Sequence, residues 1–148
     1  MTGLRIATAC LSAAAVLATP GCAGLDGDGD GVDVDVLLVT PDNNIRVEGI
    51  ECAGARPFQY VHAGSRFTLE AEDGTVLYEG ELPPGRAENA DPTIDWESDR
   101  MPTVCVFALE IDDVPEEARY VLAVEGGAPL SFDASLLASG EPLRLVAR

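Results

Sequence analysis

The sequence predicts an all-β fold: an antiparallel β-sandwich of about seven strands with one short helix, of the immunoglobulin-like or transthyretin-like kind. Three observations predict it. Short runs of alternating apolar and polar residues recur along the chain, turn residues separate these runs at regular spacing, and no long helical pattern or internal repeat interrupts them. We expect the sandwich to occupy residues 32–148 as one domain, a usual length for a single hydrophobic core.

The run Thr103–Ile111 is predicted to be the central strand. It contains no glycine or proline, and its only charged residue is Glu110. Successive side chains of a strand point to opposite faces. One face would carry Cys105, Phe107, Leu109 and Ile111, and the other Val104, Val106 and Ala108. Because both sets are apolar, we expect this strand to be covered on both sides.

Two strands are predicted at the start of the domain. In Val32–Thr40, valine and leucine alternate with aspartate, which indicates a strand with one buried face and an acidic face suited to an exposed sheet edge. Residues Pro41–Asn44 are of the types that form turns. We therefore expect the chain to turn there and a second strand to follow over Ile45–Cys52.

The clearest hairpin in the sequence is Arg66–Leu82. Apolar residues alternate on either side of Asp73-Gly74, a pair typical of the type I′ turn because it supplies the positive φ angles that this turn needs. The next segment, Pro83–Pro102, is rich in proline and acidic residues. It is predicted to be a long loop.

The end of the chain is predicted to add short strands and the one helix. The strands are Arg119–Val124, Leu130–Phe132 and Pro142–Arg148. Asp133 is expected to cap one or two helical turns that run through Leu137, with Gly140 as their stop.

The N-terminus, Met1–Gly21, is predicted to be a signal peptide. A basic residue precedes the apolar run Ile6–Ala18, which is too short to span a membrane. The small residue Gly21 then directly precedes Cys22, and this arrangement resembles the bacterial lipoprotein signal, in which the cysteine receives a diacylglycerol. The resemblance implies an extracytoplasmic chain anchored to the bacterial cell membrane by lipid on Cys22. The alternative is a secreted protein cut near Ala23.

Residues 22–31 are expected to join this anchor to the domain. Asp26, Asp28 and Asp30 alternate with glycine and imitate the start of an EF-hand calcium loop. The motif then fails, because Leu37 stands at the twelfth position, where a glutamate is required. A flexible, self-repelling tether is therefore favoured, with weak calcium binding by the three aspartates as the alternative.

Two of the four cysteines are predicted to form a disulfide. Cys10 lies in the signal peptide and Cys22 is the lipid site, which leaves Cys52 and Cys105. The closed loop is 105 minus 52, or 53, residues long. Its closure entropy would stabilise the fold by about 4 kcal/mol. A metal or redox pair is disfavoured, because there is no C-x-x-C spacing and only one histidine.

The charge excludes some partners. The chain has a formal net charge of −17, and all nine basic residues are arginines. A domain this acidic repels phosphate backbones and anionic headgroups. We therefore expect no nucleic-acid partner and no electrostatic membrane docking.

The predicted loop holds the candidate ligand residues. Trp96, the only tryptophan, lies among the acidic residues Asp91, Asp95 and Glu97. An aromatic ring flanked by carboxylates could contact a sugar or a basic partner. The alternative is that Trp96 plugs the edge of the sandwich.

Several segments of the second half resemble an uncharacterised family of bacterial secreted and lipoprotein β-sandwich proteins. The similar segments are DGTVLYEGELPPG (73–85), CVFALEIDDVP (105–115), RYVLAV (119–124) and LSFDASLL (130–137). The resemblance covers about half of the mature chain and implies a fold and a location. It implies no catalytic residue.

The sequence carries no catalytic or cofactor motif. His62, the only histidine, has no nucleophile elbow or second histidine at ligand spacing, and no phosphate-binding glycine loop occurs. We therefore expect no cofactor and a non-enzymatic binding module of the cell envelope, with an envelope protein or a carbohydrate as partner. The alternatives are a passive spacer domain and, less favoured, a small hydrolase that uses two carboxylates.

Overall fold

The computed structural model describes residues 31–148, which form two packed β-sheets. The strands are β1 Gly31–Val47, β2 Glu51–Cys52, β3 Arg66–Ala71, β4 Val76–Glu81, β5 Gly85–Asn89, β6 Arg100–Pro115, β7 Arg119–Val124, β8 Leu130–Asp133 and β9 Leu143–Val146, and a 3₁₀ helix covers Ala134–Ser139. The five-stranded sheet has the order β2-β5-β6-β1-β9, and the four-stranded sheet has the order β4-β3-β7-β8. The prediction of an all-β sandwich is confirmed, with more strands than expected.

The core lies between the two sheets. Alternate residues of β6 and β7 point inward and are fully or almost fully buried: Cys105, Phe107, Leu109, Ile111, Tyr120 and Leu122. Burying each large apolar side chain contributes about 1.5–3 kcal/mol. The hydroxyl of Tyr120 donates to the carbonyl of Pro115 at 3.1 Å, so the one polar atom of this ring is satisfied. The prediction that β6 is the central strand is confirmed, because β5 and β1 flank it.

The first strand differs from its prediction in two ways. It does not turn at Pro41–Asn44; its pairing with β6 shifts register there and resumes where Ile45 faces Pro102. Asn43 takes a positive φ of 55°, which bends the strand without reversing it. Nor is β1 at an edge over residues 36–39, where β9 pairs with it, although its acidic start, with Asp33 and Asp35, has only β6 beside it. Pro41–Asn44 do interrupt the regular strand, as their residue types predict. They form a bulge rather than a turn because the pairing with β6 continues past them.

The predicted second strand divides at a tight turn. Residues 45–47 continue β1, the chain turns at Gly49, whose φ is 80°, and only Glu51–Cys52 forms β2. Glycine suits the turn because it has no Cβ to clash at positive φ.

The predicted hairpin is confirmed as β3 and β4, but its turn is of another type. Gly74 has a φ of 86° and its N–H donates to the carbonyl of Ala71 at 3.0 Å, whereas Asp73 does not take a positive φ. This is a type I turn followed by a glycine bulge, a common three-residue hairpin connection. The carboxylate of Asp73 accepts a hydrogen bond from the N–H of Thr75 at 2.9 Å, and this contact lowers the pKa of Asp73.

The predicted long loop, Pro83–Pro102, is wrong over the five residues of β5 and over residues 100–102, which begin β6. Residues 85–89 pair with β6 and with β2, and Ala87 is completely buried. The local sequence GRAEN has little strand signal, so the pairing comes from the neighbouring strands rather than from propensity.

The predicted disulfide between Cys52 and Cys105 is present and passes over β5. Two strand spacings in a flat sheet would separate the cysteines by about 9.6 Å, but their Cα atoms are 5.7 Å apart. The short β2 therefore curves inward over β5. A Cβ atom at Gly85 would lie 2.6 Å from Sγ of Cys105, so glycine leaves the space that the disulfide occupies.

The C-terminal elements follow the prediction with two differences. The last strand, β9, pairs parallel to β1, with Leu143 facing Val36, whereas every other pairing in the described chain is antiparallel. The helix ends at Gly140, whose φ is 71°, as expected. Asp133 stands at its N-cap but makes no side-chain cap bond, because its carboxylate accepts a hydrogen bond from Arg119 at 2.9 Å instead.

Candidate functional site

No second sheet of residues 31–148 packs on the face of the five-stranded sheet that points away from the core. The four-stranded sheet covers only the inner face, so the second apolar face of β6 has no layer over it. The prediction that β6 is covered on both sides holds for its second face only at Val106, which is buried, whereas Val104 is partly buried and Ala108 is exposed. The apolar pattern was read correctly, but the second covering layer is missing.

We call this surface the apolar outer face. Direct cross-strand pairs place its residues together: Leu37 with Ala108, Val39 with Val106, Pro41 with Val104, and Ile45 with Pro102. Val47, and Val146 of β9 beside Val39, extend the face at its ends and side. Ile45, Val146 and Val47 are 62%, 56% and 41% exposed. Exposed apolar side chains grouped on one face are typical of an interaction site; here they lie at the margins, whereas Val39 and Val106 in the middle are buried.

One ion pair crosses the apolar outer face. Nη1 of Arg144 on β9 lies 3.0 Å from a carboxylate oxygen of Glu88 on β5, so the two side chains reach toward each other across β1 and β6. The middle of that path is occupied by Val39 and Val106, which are only 6% and 4% exposed although no second layer covers them. We infer that the aliphatic stems of the ion pair shield these two valines.

One end of the apolar outer face is acidic. Asp35 stands directly opposite Glu110 on the neighbouring strand, and Asp33 precedes them by two residues on β1. All three are exposed. Like charges that face each other across two strands are destabilising. The opposition of Asp35 and Glu110 therefore does not stabilise the fold, whereas the carboxylate of Asp33 accepts a hydrogen bond from the N–H of Asp113 at 3.3 Å.

A buried polar cluster lies at the bulge of β1, at the end of the apolar outer face opposite the acidic end. Asp42 is 1% exposed, and its carboxylate accepts hydrogen bonds from Nδ2 of Asn44 at 2.9 Å and from Oγ1 of Thr103 at 2.7 Å. Nη2 of Arg46 donates to it at 2.9 Å, while Nε lies 2.7 Å away in an ion-pair contact without hydrogen-bond alignment. With Arg46 turned inward, Ile45 points outward.

Sequence reasoning missed this cluster because it read its members as turn residues. An aspartate followed two residues later by asparagine and four residues later by arginine, inside an otherwise strand-like stretch, was the available signal.

The predicted ligand residue Trp96 is neither free nor fully buried. Its ring is partly buried, and its Nε1–H donates to Oδ1 of Asn89, the last residue of β5, at 3.2 Å. The indole thus fastens the loop of residues 90–99 to the sheet. The burial of Trp96 is thus intermediate: a ligand site predicts an exposed ring, and a plug at the sandwich edge predicts a buried one.

The acidic residues of the same loop are used within it. The carboxylate of Asp91 accepts hydrogen bonds from the hydroxyl and the N–H of Thr93 at 2.6 and 3.0 Å, and these contacts lower the pKa of Asp91. The carboxylate of Asp95 accepts a hydrogen bond from the N–H of Glu97 at 3.0 Å. These are local turn contacts, and they do not bring the three carboxylates together around Trp96.

The remaining predicted sites fall outside the described residues. These are the lipid site Cys22, the tether, and the calcium candidates Asp26, Asp28 and Asp30. Between residues 31 and 148, no group of three or more His, Cys, Asp or Glu side chains is placed to hold a metal ion. No helix in that stretch is long and apolar enough to cross a membrane.

The only histidine has no nucleophile beside it. Nδ1 of His62 lies 2.9 Å from the carbonyl of Ala63, while the hydroxyl of the nearby Ser65 donates to the carbonyl of Tyr60 at 2.6 Å. The best-formed cavities of the described chain hold about 260 to 390 Å³. These volumes are at or below the lower end of the range for small-molecule sites. A flat docking surface fits this geometry better than a ligand pocket.

Comparison with models of protein families, with curated proteins and with solved structures finds no match for this chain.

Proposed function

We propose that this chain is an envelope lipoprotein that acts as a non-enzymatic binding module. The lipid on Cys22 would hold it at the membrane, and the apolar outer face would dock an envelope protein. The observation that supports the proposal is the apolar surface along both long strands, β1 and β6, on which no second sheet of the described chain packs and whose margins are exposed.

A protein partner suits this face better than a carbohydrate. The face is built from aliphatic side chains on a sheet and contains no aromatic ring on which a sugar could stack. Aliphatic side chains on a flat surface are the material of protein–protein interfaces, whose energy comes from burying apolar area.

The charges define the partner further. The acidic end, with Asp35 opposite Glu110, would be relieved by arginine or lysine on the partner. We therefore propose a partner with an apolar surface and a basic rim. From Cys22 to Gly31 the chain has 31 minus 22, or nine, peptide links, which span at most about 30 Å. The domain would thus meet its partner close to the membrane.

Photo-crosslinking in the natural host tests the docking face. A benzophenone amino acid is placed at Val104 or at Val146 on the apolar outer face, and as a matched control at Ala123, which points outward from the four-stranded sheet. The proposal predicts that Val104 and Val146 capture the same protein and that Ala123 does not. Equal capture at all three positions, or none at any, would favour the passive spacer.

The intact mass of the mature protein, extracted from host membranes with detergent, tests the anchor separately. A chain that begins at Cys22 and carries acyl groups supports the lipoprotein. An unmodified chain that begins near Ala23 would contradict it and leave a secreted binding module.

A further inference from the structure

The five-stranded sheet has a vacant strand position beside β6. The strand β5 occupies that side of β6 only as far as the pair Arg86–Val106. Before Gly85 the chain leaves the sheet at Pro83-Pro84, because proline cannot donate to a ladder and its fixed φ turns the backbone away. Beyond Val106, β6 continues to Pro115 with only β1 beside it.

The backbone of β6 presents free hydrogen-bonding groups to this vacancy. The N–H of Ala90 donates to the carbonyl of Pro102 at 2.9 Å, which fixes the even-numbered residues of β6 as those that bond toward β5. Antiparallel pairing alternates by two residues. The N–H and C=O groups of Ala108 and Glu110 therefore point into the vacant position, and no strand of the described chain pairs with them there.

The free edge of β4 borders the same opening. The N–H of Glu125 donates to the carbonyl of Arg66, so the backbone groups of Arg66 point toward β7. Because successive residues of a strand point their backbone groups to opposite sides, those of the next residue, Phe67, point toward β4. The partner of Phe67 on β4 is Gly80, so the adjoining Glu79 and Glu81 turn their backbone groups outward.

A cavity of about 330 Å³ lies between the two edges. Its apolar lining includes Phe67 and Leu109 from the core, and the ring of Tyr78, which is 38% exposed. Glu81 and Glu110, whose side chains belong to the outer faces of the two sheets, border its mouth. A strand placed beside β6 would direct one set of side chains into this cavity and the alternate set outward.

We propose that this position receives an extended basic segment of a partner protein, which adds to the sheet as a strand beside residues 108–110. Main-chain hydrogen bonds to Ala108 and Glu110 would give affinity, and an apolar side chain would fill the cavity. Arginine or lysine on the segment would pair with Glu81 and Glu110 and could lie over the ring of Tyr78.

The charges select this occupant over the two nearest alternatives. A second copy of this chain carries a net charge of −17, and residues 26–30 of the same chain would place aspartates beside Glu110. Like charges that meet at an edge disfavour such pairing. The proposal shares Glu110 with the acidic end of the apolar outer face, but otherwise it rests on strand edges and on a cavity that opens between the sheets.

The probe is an acetylated and amidated peptide of about seven residues, a usual strand length, that alternates arginine with valine. Amide hydrogen exchange of the full mature chain is followed by NMR as the peptide is added. The proposal predicts that exchange slows by about tenfold or more at Ala108 and Glu110, as expected for amides that gain a partner. The same peptide with every amide between its residues N-methylated is predicted not to bind, because neither of its edges can donate to a ladder.

Substitutions separate this site from general attraction to an acidic protein. Glu81→Gln and Glu110→Gln are each predicted to weaken the affinity for the peptide about two- to fivefold. Glu125→Gln, on the outer face of the four-stranded sheet, is predicted to leave that affinity unchanged. Unaltered exchange at Ala108 and Glu110, or equal binding of the methylated peptide, would overturn the proposal. Slow exchange there without peptide that depends on protein concentration would also overturn it, since a second copy would then hold the position.

Discussion

The two outer faces of the sandwich differ although its two inner faces are alike. Both inner faces are apolar and buried, as a sandwich core requires. The outer face of the four-stranded sheet is mostly polar and charged, with Arg66, Thr68, Glu70, Glu79, Glu81 and Glu125 beside the apolar Val76, Val121 and Ala123. The outer face of the five-stranded sheet is apolar through its middle. The four-stranded sheet shows that this architecture accepts a polar outer face, so the apolar one points to interaction rather than to folding.

The largest effect that bears on this comparison is expected at Asp42. Asp42→Ala should lower the free energy of unfolding by about 3 kcal/mol, because it leaves Arg46 and Thr103 without their shared buried carboxylate. Urea unfolding measures the change. The control is Asp35→Ala, which removes an exposed carboxylate from the same strand and relieves its opposition to Glu110. If both variants lowered the free energy of unfolding equally, the buried cluster around Asp42 would not stabilise β1.

The second effect compares one valine from each outer face. Val106→Ala should lower the free energy of unfolding by about 1–2 kcal/mol, since this side chain is 4% exposed and packed beneath the Glu88–Arg144 ion pair. Val121→Ala, at a partly buried position of the four-stranded sheet, should cost about 0.5 kcal/mol or less. Urea unfolding again decides. If Val121→Ala proves the more costly variant, the ion pair does not shield the apolar outer face.

The third effect compares the ion pair on each outer face. Glu88→Gln breaks the pair with Arg144, and Arg119→Gln breaks the pair with Asp133 on the four-stranded sheet. Each should change the free energy of unfolding by about 1 kcal/mol or less, because both pairs are exposed. Only Glu88→Gln should increase the fluorescence of an apolar dye such as ANS, because only that pair lies over buried valines. An equal rise in both variants would contradict this assignment.

The smallest effect concerns the loop of Trp96, which lies apart from the apolar outer face. The hydroxyl and N–H of Thr93 hold the pKa of Asp91 below its ordinary value of 3.8. A lowered pKa means that the folded loop favours the carboxylate, so this stabilisation is present above pH 3.8 and is lost as the pH falls through the lowered pKa. The fluorescence of Trp96 should therefore change in that acid range, and Asp91→Asn should remove part of the change. Identical titrations of the two proteins would exclude a coupling between Asp91 and Trp96.

Local pattern was enough to predict the elements whose sequence alternates strictly. The strand Arg119–Val124 and the hairpin of β3 and β4 stand where their alternation places them, and the cysteine count was enough to pair Cys52 with Cys105. The strands are predicted by alternation within a few neighbouring residues, and the disulfide by excluding the other two cysteines.

What could not be predicted depends on contacts between distant segments. Residues 85–89 form a strand because β2 and β6 stand on either side, and Asp42 is buried because Thr103 and Arg46 converge on it. The residue types at both places favour turns when they are read alone. An apolar outer face cannot be distinguished from a covered one by alternation, because both give the same pattern.

The direct test of the central claim is the accessibility of the apolar outer face in intact host cells. Ile45→Cys and Val146→Cys place thiols at exposed positions near two margins of that face, and Glu125→Cys places one on the outer face of the four-stranded sheet. Maleimide labelling rates are compared between the purified protein and the cells. A docked partner predicts rates in cells that fall at residues 45 and 146 but not at residue 125. Rates that fall equally at all three positions, or at none, would contradict the assignment of this face as the docking surface.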